Sequence, residues 1–244
     1  MTYCVAIRGQ PGLVFLSDSR TNAGVDQIST FRKMHTYEVP GERVMVLLTA
    51  GNLAVSQAVA SGLKAQMGNP DEKSLANCPN MFSAAKLVGD AVRKVYARDA
   101  NSLKEFGIDF NVSLIFGGQV GHEEPRLFNM YSPGNFIEAT AETPYFQIGE
   151  SKYGKPILDR VIGGELSLDE IAKCALISMD STIKSNLSVG LPLDLMCYER
   201  DALRVTRHKL IDSRDEYFAS IRGRWADQLK KVFNDLPEPG YWSA

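Results

Sequence analysis

The sequence predicts a layered α+β fold, and three observations carry that expectation. Strands and helices come in segregated runs, in the order strands, two helices, strands, two helices, strand, rather than alternating as in a βαβ protein. No G-x-G-x-x-G or Walker loop is present. No internal repeat or linker divides the chain, so its 244 residues read as one large body with an appended tail.

Each element has a local reason. YCVAIR (Tyr3 to Arg8) and LVFLSD (Leu13 to Asp18) are rich in β-branched and aromatic residues, and GQPG (Gly9 to Gly12) between them suits a tight turn. KMHTYEV (Lys33 to Val39) and RVMVLLTA (Arg43 to Ala50), joined by PGE, form a second pair. Leu53 to Met67 is apolar and alanine-rich, as a helix requires. Met81 to Tyr96 places Ala84, Val88, Ala91 and Val95 on one helical stripe.

Strands resume at FNVSLIFGGQV (Phe110 to Val120), RLFNMYS (Arg126 to Ser132), NFIEAT (Asn135 to Thr140) and YFQIG (Tyr145 to Gly149). Ser167 and Glu170 make a capping box, after which Leu168, Ile171, Ala175, Met179 and Ile183 keep helical spacing. LDLMCYE (Leu193 to Glu199) is a late strand. Residues 213–236 form a last amphipathic helix, with Phe218, Ile221, Trp225, Leu229 and Val232 on one face. Residues 1–212 are therefore read as the main domain, and 213–244 as a helix and tail. That helix either covers its own domain or serves as an oligomer contact, the role expected of it here.

Composition narrows the function. At 44% hydrophobic and 23% charged residues, the chain can bury a core without staples. A formal net charge of -2 supplies no basic footprint, so no nucleic-acid partner is expected. No apolar run approaches the ~20 residues that cross a bilayer, so no membrane partner is expected. The four cysteines are scattered, which reads as reduced thiols in a cytoplasmic protein. The three histidines are isolated and no HExxH pair exists, so neither a metal nor a cofactor is expected. MTYCVAIRG lacks the features of a signal peptide, so Met1 alone is expected to precede Thr2.

The chemistry follows from the first hairpin. A strand pair with a four-residue turn would bring Thr2 beside Asp18. Removal of Met1, which a small second residue permits, would make Thr2 the N-terminus. An N-terminal threonine carries nucleophile and base on one residue, because its hydroxyl attacks and its α-amine takes the proton. The α-amine titrates near 7.7–8.0 in reference peptides, and a nearby ammonium lowers that value. Lys33, held by Asp18, could supply the ammonium; the planar guanidinium of Arg32 suits that place less well. Taken singly, Thr2 is an ordinary strand residue, Asp18 to Arg20 a strand-end turn, Lys33 a solvated charge and Gly51–Asn52 a turn. Their joint spacing turns these readings into a site.

DSRTNAG (Asp18 to Gly24), IS (Ile28, Ser29), RKM (Arg32 to Met34) and TAGN (Thr49 to Asn52) resemble the proteasome β-subunit pattern of D-S-R-x-T-x-G, a later lysine and a short glycine motif. From Thr2 through the C-terminal helix, the chain is most similar to the Anbu family of bacterial proteasome homologues. The resemblance implies a four-layer αββα sandwich of the N-terminal-nucleophile hydrolase kind. It also implies Thr2 as nucleophile with its amine as base, Asp18 orienting the site and Lys33 tuning it. The N–H of Gly51 would form the oxyanion hole. Thr49 would lie near the pocket for the residue preceding the cleaved bond, Arg20 would brace the strand end, and peptide would add as a strand along Asn22 and Gly51. Family members self-associate into rings or helical assemblies, so a homo-oligomer acting on a peptide or amide is implied. Nothing in the sequence specifies an ATPase partner.

Departures from the pattern bear on activity. Asn22 replaces its threonine. Where the pattern has G-S-G, this chain has GES, with Glu150 in place of the serine and Ser151 next to it. The distal D-x-x-S-G-G motif reads SNLSVG, with Ser185 replacing the aspartate and Ser188 retained. Three functions are therefore compatible: a threonine peptidase or amidase of the proteasome superfamily, a weak or non-catalytic structural subunit, and another amidohydrolase acting on a small amide.

Overall fold

The computed structural model describes residues 2–22 and 28–241. Among them, strands β1 (Tyr3–Gly9), β2 (Gly12–Asp18), β3 (Arg20–Asn22), β4 (Ile28–Thr30), β5 (Met34–Val39) and β6 (Arg43–Gly51) precede helices α1 (Leu53–Met67) and α2 (Met81–Glu105). Strands β7 (Val112–Val120), β8 (Arg126–Met130), β9 (Phe136–Glu138) and β10 (Tyr145–Gly149) follow, then α3 (Lys155–Val161) and α4 (Leu168–Ser185). Strands β11 (Leu193–Glu199) and β12 (Arg207–Ile211) lead to α5 (Glu216–Asp235).

The strands build two five-stranded antiparallel sheets, ordered β10-β1-β2-β11-β12 and β5-β6-β7-β8-β9, with β3 and β4 as a separate ribbon. Strand composition explains the layering. Every residue of β2 is buried, so both faces of its sheet need cover. Leu13 and Phe15, with Cys4 and Met196 of the same sheet, point to the other sheet and pack with its Leu48 and Ile115. Val14 and Leu16 point the other way, against Leu158 of α3, Ala175 of α4 and Phe218 of α5. Leu47 and Phe116 of the second sheet likewise receive Val55 of α1 and Val88 of α2. The result is the expected αββα sandwich with an added C-terminal helix.

Helix starts follow local capping. Asn52 accepts the N–H groups of Ala54 and Val55 to open α1. The capping box of Ser167 and Glu170 is formed. Asp215 accepts the N–H of Phe218 and caps α5, which starts three residues inside the expected span.

Three expectations need correction. The first hairpin turns on two residues, not four: Gly9 pairs with Gly12 and Cys4 with Ser17. That register aims Asp18 at the backbone N–H of Tyr3, 3.0 Å away. Helix α2 runs on past Tyr96 to Glu105, because Ala, Arg, Leu and Lys sustain a helix where the apolar stripe fades, and Leu103 still packs on the core. Strands β3, β4 and β12 were not expected. The first two have three residues each, and β12 is a largely exposed edge strand, so neither carries an apolar signal.

Helix α5 divides along its length. Phe218 is buried, Ile221 packs beside it, and Arg222 donates to Asp180 of α4 at 2.6 Å. Farther along, Leu229, Val232, Phe233 and Leu236 are exposed.

Candidate active site

The end of β2 delivers three consecutive buried polar residues, Ser17, Asp18 and Ser19. Ser19 is tied down by its N–H and hydroxyl, which donate to the carbonyl of Pro192 at 3.0 and 2.6 Å. Asp18 is fully buried and receives three donors. Lys33 Nζ and the Tyr3 N–H reach its Oδ1 at 2.7 and 3.0 Å, and the Gly190 N–H reaches Oδ2 at 3.4 Å. Lys33 is 4% exposed and also donates to the Arg20 carbonyl at 2.7 Å. The ammonium is thus fixed by a carboxylate and a carbonyl, leaving it one further proton to direct. Burial pushes the Asp18 carboxyl up from its ordinary value, while Lys33 and the two N–H groups pull against that rise.

Thr2 lies beside this pair. Thr2, Lys33, Thr49 and Gly51 line one open cavity of about 600 Å³, together with Thr21, Asn111 and Gly149. The Thr2 carbonyl accepts the N–H of Glu150 at 2.7 Å. Gly149, before it, has φ +81°, and a Cβ there would stand 2.0 Å from the Thr2 carbonyl oxygen. Only glycine permits this approach. Gly51 is similar, with φ +104° and the Asn111 carbonyl 2.4 Å from where a Cβ would sit. Thr49 is pinned to the same frame, since its N–H donates to the Lys33 carbonyl at 2.9 Å.

The remaining sequence candidates divide. Arg20 donates to the Leu187 carbonyl at 3.1 Å and packs against Gly190, so it braces the loop that delivers the third donor to Asp18. Asn22 ends β3 opposite Ile28. Gly24 and the state of Met1 lie outside the described residues. Glu150 is buried, and its Oε2 accepts from Asn186 Nδ2 at 3.0 Å. Ser151 turns the chain toward α3, with its carbonyl accepting the Lys155 N–H at 3.3 Å. Ser188 is half-buried and donates its N–H to Asn186 Oδ1 at 2.9 Å. Ser185 is exposed on the last turn of α4, and the structure does not bring it to the cavity.

Two polar residues of the site were missed. Asn186, the C-cap of α4, ties Glu150 to the 186–190 loop. Its signal was slight, an asparagine beside the mismatched Ser185. Thr21 lines the cavity with a buried hydroxyl that has no hydrogen-bond partner among the described residues. It sits between two motif positions and belongs to neither.

Comparison with known proteins identifies the family. A family model described as proteasome subunit matches residues 2–191. The chain is 23% identical over 210 residues to a proteasome subunit beta of Haloquadratum walsbyi, covering 85% of this chain and 77% of that one. Two solved structures are nearer. Anbu (ancestral beta-subunit) from Yersinia bercovieri is 52% identical with a TM-score of 0.92, covering 97% of this chain and 98% of that one. The Anbu complex from Pseudomonas aeruginosa, solved as a helical assembly, is 47% identical with a TM-score of 0.94 over the whole of both chains. The chain therefore belongs to the proteasome subunit family, in its Anbu group.

Proposed function

We propose that the protein is a threonine peptidase or amidase that uses Thr2, freed by removal of Met1, as its nucleophile. The observation that carries this reading is the buried Asp18–Lys33 ion pair in the wall of the cavity that Thr2 lines. An ammonium held in the wall of a cleft that Thr2 also lines is the group a threonine hydroxyl needs near it.

The reaction runs in two halves. The Thr2 hydroxyl oxygen bonds to the substrate carbonyl carbon as its proton passes to the α-amine. The tetrahedral oxyanion faces the Gly51 N–H. Its collapse breaks the C–N bond, and the leaving amine takes the proton back from the α-ammonium. Water then adds to the ester and releases the acid and Thr2. The substrate backbone lies between Gly51 and β3, with Thr21 in the wall of the cavity beside it.

We also read residues 213–244 as an oligomer contact. Exposure of Leu229, Val232, Phe233 and Leu236 supports this, as does the helical assembly of the Pseudomonas aeruginosa protein. Cytoplasmic residence is supported by four buried free cysteines. No helix among the described residues is long and apolar enough to cross a membrane.

A second reading, a structural subunit without turnover, is favoured by Glu150 and the exposed Ser185. Hydrolysis of short fluorogenic peptides and of small amides by the wild-type protein and Lys33→Met separates them. Turnover lost in Lys33→Met supports the peptidase, and equal background in both supports the structural subunit.

A further inference from the structure

Glu150 is a buried carboxylate with incomplete compensation. It is 8% exposed. One oxygen takes the Asn186 amide at 3.0 Å, and the other stands 3.6 Å from Lys152, whose ammonium is 76% exposed. A solvated partner at that distance neutralises little of a buried charge, and a buried anion needs a nearer cation or more donors. The backbone of Glu150 is joined to that of Thr2, its N–H donating to the Thr2 carbonyl at 2.7 Å, so the two residues are neighbours across the β1–β10 edge. An α-ammonium on Thr2 would be the missing cation.

We propose that Glu150, oriented by Asn186, is a positioning residue that holds the Thr2 amine protonated in the resting protein and sets the pH at which it becomes a base. This rests on the reading of Thr2 as the first residue. The surrounding charges favour it. From β2 and the segment before β5 come Asp18 and Lys33, which cancel each other at 2.7 Å. From β3 comes Arg20, turned toward Leu187. From the loop after β10 come Glu150 and Lys152. The Glu150 charge is therefore the one least matched near Thr2. Asn186 fixes its direction, since the same side chain accepts the Ser188 N–H and so is locked to the loop that reaches Asp18.

The test reads the amine itself. A chain beginning at Thr2, verified by intact mass, is labelled with trace acetic anhydride from about pH 5 to 10, around the ordinary α-amine range. Mass spectrometry of the N-terminal peptide gives the midpoint. Glu150→Gln, which keeps shape and the Asn186 contact, is expected to lower the midpoint by roughly 0.5–1 pH unit, the effect of removing one nearby charge at intermediate dielectric. Lys152→Gln, at an exposed position, is expected to move it the other way by less. A midpoint unchanged in both variants overturns the proposal. The outcome is separable from the catalytic reading: a Thr2 hydroxyl that never forms an adduct refutes catalysis yet leaves a shifted midpoint standing, whereas an adduct with unshifted midpoints refutes only the role of Glu150.

Discussion

The two walls around Thr2 are built differently. On one side, Asp18 and Lys33 form a closed pair whose donors all come from the protein: two N–H groups and an ammonium, with the Arg20 carbonyl taking a second proton from Lys33. On the other, Glu150 and Asn186 join residues 149–150 to the end of α4, and the nearest ammonium belongs to an exposed lysine. The first wall is a finished electrostatic device, and the second is open toward whatever Thr2 presents. The contrast separates a part that fixes reactivity from a part that adjusts it.

The largest effects belong to the closed wall. Asp18→Asn or Lys33→Met is expected to lower peptide turnover by ~10²–10⁴-fold. Lys33→Met leaves the buried Asp18 carboxylate without its partner, costing about 3–5 kcal/mol in denaturant unfolding. The double variant recovers much of that stability and none of the turnover. Strictly additive losses of stability would mean the pair is not coupled.

Next comes the hinge between the walls. Gly149→Ala places a methyl against the Thr2 carbonyl at a positive φ, and a loss of more than ~2 kcal/mol is expected. An unchanged midpoint would show that residues 149–150 are not held as described.

A smaller effect follows from acid. Burial raises the Asp18 carboxyl above its ordinary 3.8. A raised folded value means the folded state binds that proton more tightly, so acidification through it does not itself unfold the chain. It does break the ion pair. Turnover should therefore fall on acidification at a pH above 3.8, while circular dichroism still reports native structure. Coincident loss of both would assign the limb to unfolding.

The smallest effect on the fold itself lies farthest from the site. Phe233→Glu, on the exposed half of α5, should leave the melting temperature within the range of a surface change, about ±0.5 kcal/mol. It should also shift sedimentation toward smaller species. Unchanged sedimentation would place the oligomer contact elsewhere.

The closed wall was also the legible one. Asp18, Lys33 and Gly51 stand in a spaced order that local chemistry and family resemblance read alike, and the strands that carry Asp18 and Gly51 are buried along nearly their whole length. The open wall was read only as loss, because sequence showed Glu150 and Ser185 as mismatches. It could not show that Asn186, beside Ser185, turns inward when α4 ends and reaches Glu150 across 36 residues. Thr21 was invisible for a related reason, since a buried hydroxyl without a partner among the described residues can be recognised only once the surrounding backbone is placed. The short β3 and β4 and the exposed β12 escaped because pairing, not composition, makes them strands.

The central claim concerns Thr2, and one measurement meets it directly. Intact-mass analysis of the purified protein before and after a peptidyl epoxyketone, a reagent that needs both a hydroxyl and a free α-amine on one residue, reports processing and reactivity together. The account predicts a chain lacking Met1 that gains one adduct, mapped to Thr2 and absent in Thr2→Ala. A chain beginning at Thr2 that takes no adduct, or an adduct that persists in Thr2→Ala, would contradict it.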